Sequence, residues 1–243
     1  MRRAVRILLA LVGLGGVAAG VALLVLYRAS QEVPDFYEEA LAVAPAVHEQ
    51  AGENLEHQVQ TLQQEVTQVG RWEMLFSDRQ INGWLAYELP RRFAAALPRG
   101  VSEPRVAIQP DRILVACRYD TKKVSSVVSL ELETMLTDEP NVVAVRVKSV
   151  KAGSLPLPVS QFLDQITTKA AKADLDIRWL EEDGEPVALL TIPAQHEQYR
   201  YKTVLLEQLE CRDGEVFLAG RTESESSLLR TAAVTRRNNR WVE

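Results

Sequence analysis

Apolar positions recur along this chain with three different periods, and each predicts a different element. Residues Ile7 to Tyr27 form an uncharged, almost wholly apolar run. Twenty-one helical residues span about 32 Å, close to the hydrocarbon thickness of a bilayer. Further on, Leu55, Val59, Leu62, Val66 and Val69 follow 4-3-4-3 spacing on a glutamine- and glutamate-rich background, which places them on one stripe of a helix. Ile81, Trp84, Leu85 and Leu89 form a second such stripe. Past Gly100 the period drops to two. Val106 and Ile108 alternate with polar neighbours, as do Ile113, Val115, Cys117 and Tyr119. The same holds for Val128, Leu130, Leu132, Thr134 and Leu136, and for Val143, Val145 and Val147. Such alternation predicts antiparallel strands with one buried and one wet face. Further strands are expected at 175–179, 187–192, 203–211 and 215–219, with "EEDG" and "RDG" as turns.

Punctuation between these runs sets the boundaries. Asp35 after Pro34 starts a helix, and Pro45 kinks it or opens a second one. Ser77 and Gln80 make a capping box, Phe76 and Ile81 occupy the staple positions, and Pro90 is expected to stop the helix. Asn82 lies beside the apolar stripe, where its amide can bond a neighbouring backbone. The prolines of "KAGSLPLPVSQFL" (151–163) interrupt the strands, and Phe162, Leu163, Ile166 and Ala170 predict a second short helix. The organisation expected is a cytoplasmic stub and transmembrane anchor (1–28), a helical stalk (29–69), an α+β domain (70–220) and a polar tail (221–243). The fold class is α+β, a curved antiparallel sheet packed on helices.

Charge orients the chain. Arg2, Arg3 and Arg6 precede the apolar run, while Glu32, Asp35, Glu38 and Glu39 follow Arg28. The arginine excess puts the N-terminus in the cytoplasm and the rest outside the inner membrane. A cleaved signal peptide is the rival reading, but it has a shorter apolar core and a small-residue cleavage site. No cysteine lies near position 30, which excludes a lipoprotein anchor. Gly13, Gly15 and Ala18 match a relaxed dinucleotide fingerprint, yet the strand and acidic residue it needs are missing. Gly16 and Gly20 form a GxxxG pair that lets two anchors approach. The 4-3-4-3 stripe is shorter than a coiled coil requires. A helix packed on its own domain is therefore favoured over one pairing two chains.

Composition narrows function mainly by exclusion. A net charge of −5 argues against nucleic acid. Cys117 and Cys211 fit neither a redox pair nor a zinc knuckle, and a single disulfide between them stays open. His48 and His57 lie nine residues apart on the helical segment. His196-Glu197 begins like a metalloprotease helix, but Arg200 stands at the closing position. No cofactor, metal or catalytic residue is expected. One continuous aliphatic sheet face with a nearby apolar helix can instead enclose an acyl chain. The expected lining is Ile81, Trp84, Leu85, Leu89, Leu130, Leu132, Val143, Val145 and Phe162. The alternative is an envelope scaffold that oligomerises, as a homodimer, through its stalk and anchor.

Two motifs carry a resemblance. Phe76, Ser77, Gln80, Ile81, Asn82 and Leu85 match F-S-x-x-Q-I-N-x-W-L. Val150, Gly153, Leu155, Pro156, Leu157, Pro158 and Phe162-Leu163 match v-x-x-G-x-L-P-L-P-x-x-x-L. Over about 70–220 the chain resembles the YpmS-like family of membrane-anchored bacterial extracytoplasmic proteins, departing from it in a longer helical stalk and in the tail. The layout of that family is similar to TULIP-like lipid-binding modules. The resemblance implies a single-pass anchor and a sheet wrapped around a helix and a lipid.

Overall fold

The structure is a computed structural model that describes residues 28–122, 125–172, 176–194 and 202–224. The apolar run 7–27 with its glycine motifs, the His196-Glu197 pair and residues 225–243 lie outside the described residues. The fold is α+β, with two antiparallel sheets and a few helices. Among the described residues no helix is long and apolar enough to cross a membrane.

Helix α1 (Asp35–Leu41) follows Pro34, and Pro45 opens a separate α2 (Pro45–Glu65), as first-turn proline allows. Both pack on the domain rather than standing clear of it. Tyr37 is fully buried with Ala116 and Val127, while Val33, Phe36 and Leu41 close around them. The expected stripe does not stay on one helix: α2 ends at Glu65, so Val66 caps it and Val69 lies in the bend before the next strand. Val66 is buried and Leu55 and Leu62 are half-buried, whereas Val59 is 38% and Val69 59% exposed.

Strand β1 (Gly70–Ser77) was not anticipated from the sequence. Its eight residues run straight into helix α3 (Asp78–Arg92), and no turn residue separates the two. The capping box forms as expected: the Gln80 amide donates to Ser77 Oγ (3.3 Å), and the Ser77 amide donates to Gln80 Oε1 (3.0 Å). Pro90 does not stop α3. It sits in the last turn, where one missing donor costs a single intrahelical bond, and the Phe93 amide still reaches Leu89 O at 2.9 Å.

After a 3-10 turn (Ala94–Ala96) come β2 (Val101–Gln109), β3 (Arg112–Asp120), β4 (Ser125–Leu136), β5 (Val142–Ala152) and the two-residue β6 (Leu155–Pro156). Helix α4 (Ser160–Lys172), β7 (Asp176–Glu182), β8 (Glu185–Thr191), β9 (Lys202–Arg212) and β10 (Glu215–Ser224) complete the described chain. The large sheet runs β2-β3-β4-β5-β8-β7 with β6 on β5; the small one runs β1-β10-β9. Strand β10 continues to Ser224, past the boundary expected at 220. Thr222 is fully buried and donates to Val66 O at 2.9 Å.

One expectation needs correction. Strand register puts Val115, Leu130, Leu132, Val145 and Ala188 on one face of the large sheet. The opposite face, expected to be wet, is wet only in part. It carries an ion-pair ladder in which Lys148 meets Glu185 (2.9 Å) and Arg112 meets Glu131 (3.1 Å). Yet Ala116 and Val127 on that face are buried under α1, and Val142, Ala144, Val187 and Leu189 form a second buried cluster. The runs ILVA, VVAV and VALL are thus apolar on both faces, as strands covered from both sides are.

Asparagines close two sheet edges. Asn82 Nδ2 donates to Val106 O at 2.7 Å and its Oδ1 accepts from Val106 N at 2.8 Å. This occupies both outward-facing groups of edge residue 106, a position otherwise open to strand addition. Asp78, four residues earlier, accepts from Ile108 N at 3.4 Å. Asn141, at φ 59°, does the same for the small sheet, donating to Val204 O (2.7 Å) and accepting from Leu206 N (2.8 Å).

Candidate functional site

The expected lining divides into two groups. Leu130, Leu132, Val143 and Val145 share the first face of β4 and β5, where Leu130 opposes Val150 and Leu132 opposes Val147 across a bulge. Val143 is buried; Leu130, Leu132 and Val145 are half-buried, as are Val115 and Ile113 on β3. Val147 and Val150, opposite Leu132 and Leu130 on the same face, are also buried, and β9 reaches β4 where Cys211 meets Thr134. The partly covered aliphatic strip therefore runs along β3 and β4 and ends at Val145. Toward the β7 edge, α4 lies alongside, with Trp179 Nε1 donating to Thr167 Oγ1 at 2.8 Å. Phe162 belongs to α4, and its side chain lies outside the described set.

The α3 group sits elsewhere. Helix α3 packs on α2, β1 and β2, so two strands, β2 and β3, separate it from β4 and β5. Leu89 is buried, Ile81 and Leu85 are half-buried, and Trp84 stacks on Phe93 with ring centroids 5.6 Å apart. At the helix crossing, a Cβ on Gly83 would fall 2.6 Å from both Gly52 N and His48 O. Backbone touches backbone there, which is why two glycines meet in otherwise ordinary helix sequence. The sequence stripe located the helix, but it carried no signal for this contact partner.

Among the described residues, two of the clefts contain none of the nine expected residues. One of about 470 Å³ lies where α2 meets β1 and the start of α3, between Gln50, Asn54, Gln58, Leu75 and Arg79. The other, about 890 Å³, is bounded by Glu65, Val69, Trp72, Glu207 and Phe217. Both are lined by mixed polar and apolar groups and suit water or a polar ligand better than an acyl chain.

Titratable groups cluster at the α1–α2–β2 junction. Burial raises the Tyr37 phenol, and nearby Glu103 adds to the shift; its hydroxyl donates to Glu103 O at 3.0 Å. Burial, then Arg105, lowers His48. Burial also lowers the Arg105 guanidinium, which donates to Pro104 O at 2.8 Å. His48 Nε2 and Arg105 Nε are buried without a hydrogen-bond partner, so the cluster joins helices to strand at some electrostatic cost.

On the aliphatic face, Cys117 has its thiol raised by burial, which keeps it protonated and a poor nucleophile. Cys211 Sγ lies 3.3 Å from Thr134 Oγ1, whereas Cys117 pairs with Val128. Six residues along β4 make roughly 20 Å, too far for a bridge, and both cysteines are free. Among the described residues no group of three His, Cys, Asp or Glu side chains is placed to hold a metal ion. The chain matches no protein-family model, no curated protein and no solved structure.

Proposed function

We propose that this chain is a single-pass, membrane-anchored, extracytoplasmic and non-enzymatic protein, with its N-terminus on the cytoplasmic side of the inner membrane, that holds a lipid acyl chain against the first face of its large sheet. The observation that carries this reading is the half-buried strip Ile113, Val115, Leu130, Leu132 and Val145, spread over three adjacent strands. Each methylene laid on such a strip and removed from water contributes about 0.8 kcal/mol, so a single acyl chain offers ample driving force without any polar contact. The resemblance to YpmS-like proteins and TULIP-like modules points the same way. The test is photo-crosslinking of the full chain in vesicles containing a diazirine-tailed phospholipid. Adducts within 113–150 are expected, with loss of those adducts in Leu130→Asp. Adducts confined to residues 7–27 would overturn the carrier reading while leaving the anchor intact.

A second reading, a scaffold that oligomerises, is favoured by exposed Val59 on α2, with exposed Val69 just beyond the helix end at Glu65. It predicts efficient disulfide dimers of Val59→Cys in membranes.

A further inference from the structure

A single residue, Arg28, separates the end of the apolar run at Tyr27 from the first contact with the domain. Ala29 O accepts from the Ser154 amide at 2.9 Å, Ser30 O accepts from Ser126 Oγ at 2.6 Å, and Gln31 Nε2 donates to Ser125 O at 2.8 Å. Gly153, at φ 59°, leaves no room for a side chain there: its Cβ would lie 2.2 Å from Ala29 O. The two residue steps from Tyr27 to Ala29 reach about 7 Å at most even when fully extended, and residues 28–30 are helical. An anchor ending at Tyr27 therefore holds this corner of the domain, where β4 begins and β5 ends, against the bilayer.

The same end of the large sheet carries an exposed apolar loop. Asp120 faces Ser125 in register, the Asp120 amide donates to Gly100 O at 2.8 Å, and the Val101 amide donates to Pro98 O at 3.1 Å. The loop 93–98, "FAAALP", thus lies a few strand spacings from residues 29–31, roughly 15 Å away. Phe93 is 43% exposed, and Ala94, Ala95, Ala96 and Pro98 are exposed with it. Tyr119, 38% exposed, stands beside Gly100. Arg91 and Arg99 bracket the loop and are themselves exposed; Arg92 is held by Glu56 and Glu88. The acids near this end include Glu103, paired with Arg118 at 3.0 Å, Asp120, bonded by Ser125 Oγ, Glu56 and Glu88, both on Arg92, and the exposed Glu32 beside the 29–31 contact. Aromatic and small apolar residues framed by arginines are the composition of a segment that sits in a lipid headgroup layer. Arginines near an anionic leaflet add to the attraction.

We infer that loop 93–98 dips into the outer leaflet of the anchoring membrane, so that the domain is fixed to the bilayer at two points, the anchor and this loop. The inference rests on the membrane-anchored reading above. Two attachments remove free rotation about residue 28 and set the strand ends of the large sheet, including the Val128–Leu130 end of the aliphatic strip, facing lipid.

The full chain is reconstituted into vesicles of phosphatidylethanolamine and phosphatidylglycerol with bimane on Ala95→Cys, and in parallel on Asp183→Cys. Asp183 lies in the β7–β8 turn, and Cys117 and Cys211 are replaced by serine in both. Carbonate-resistant protein whose label at 95 is blue-shifted and quenched by doxyl-labelled lipid, with the label at 183 unaffected, supports the loop contact. Carbonate-resistant protein with both labels equally wet overturns the loop contact and leaves the anchor standing. A label at 95 that is blue-shifted only at high protein-to-lipid ratio, and not quenched by doxyl lipid, assigns the loop to a second copy of the chain and overturns the contact. Extraction by carbonate overturns the anchor and the loop contact with it.

Discussion

Gly83→Ala tests the helix crossing on the sign of a single number. In an exposed helix, replacing glycine by alanine stabilises by about 1 kcal/mol, because alanine loses less backbone entropy on folding. Here the new Cβ would meet Gly52 N and His48 O at 2.6 Å and Ala51 Cβ at 2.8 Å. Two of these neighbours are backbone atoms, which cannot rotate aside. Restoring ordinary contact moves α2 off α3 by about 0.8 Å, in a position where Asn82 next door holds Val106 at 2.7 and 2.8 Å. Overpacking of this kind costs about 1–3 kcal/mol, and rigid partners put it at the upper end. The net expectation is a loss of roughly 2 kcal/mol, about 4–8 °C in Tm for a domain of this size. Gly52→Ala is the internal control: its Cβ would stand 3.1 Å from Gly83 C and Trp84 N, so crowding and propensity nearly cancel. Urea unfolding of the full chain in mild detergent, followed by far-ultraviolet circular dichroism at unchanged m-value, measures both. A Gly83→Ala protein as stable as the parent, or more so, would refute the close crossing.

Asn82→Leu strands the Val106 amide and carbonyl, each worth about 1–3 kcal/mol when buried and unpaired, so a loss of about 2–4 kcal/mol is expected in the same unfolding assay. Asn82→Asp keeps the acceptor and turns a carboxylate on the Val106 carbonyl. Its deficit should be present at neutral pH and shrink as acid protonates the folded carboxyl, and a pH-independent deficit would contradict the clamp. His48 is lowered by burial and by Arg105, so the folded state binds its proton less readily than the unfolded chain. Stability is full above the ordinary value of 6.5 and falls as pH drops through it toward the lower folded value. His48→Leu should flatten that acid-side slope in a pH series of urea midpoints. Gly153→Ala cannot adopt φ 59° without strain and collides with Ala29 O; it should free residues 29–33 to limited proteolysis while leaving the sheet protected.

Local chemistry made much of this protein legible in its sequence. The Ser77–Gln80 capping box, the α3 stripe, Asn82 as a backbone ligand and the hairpin strands of the large sheet all depend on neighbours within a few residues, and all appear where the pattern put them. Pairing with distant segments was silent. Strand β1 is recognisable only beside β10, its partner some 140 residues later. The burial of Ala116, Val127, Val142 and Leu189 follows from what covers the second face, not from alternation along the strand. The candidate lining shows the same divide. Periodicity named Leu130, Leu132, Val143 and Val145 correctly as one face, but it could not say that α3 docks along the β2 edge instead of over β4 and β5. That placement is set by Asp78 and Asn82 bonding the edge backbone and by Gly52 meeting Gly83. Such contacts join residues 24 to 31 positions apart, and a one-dimensional hydrophobic period carries no information about where two rods cross.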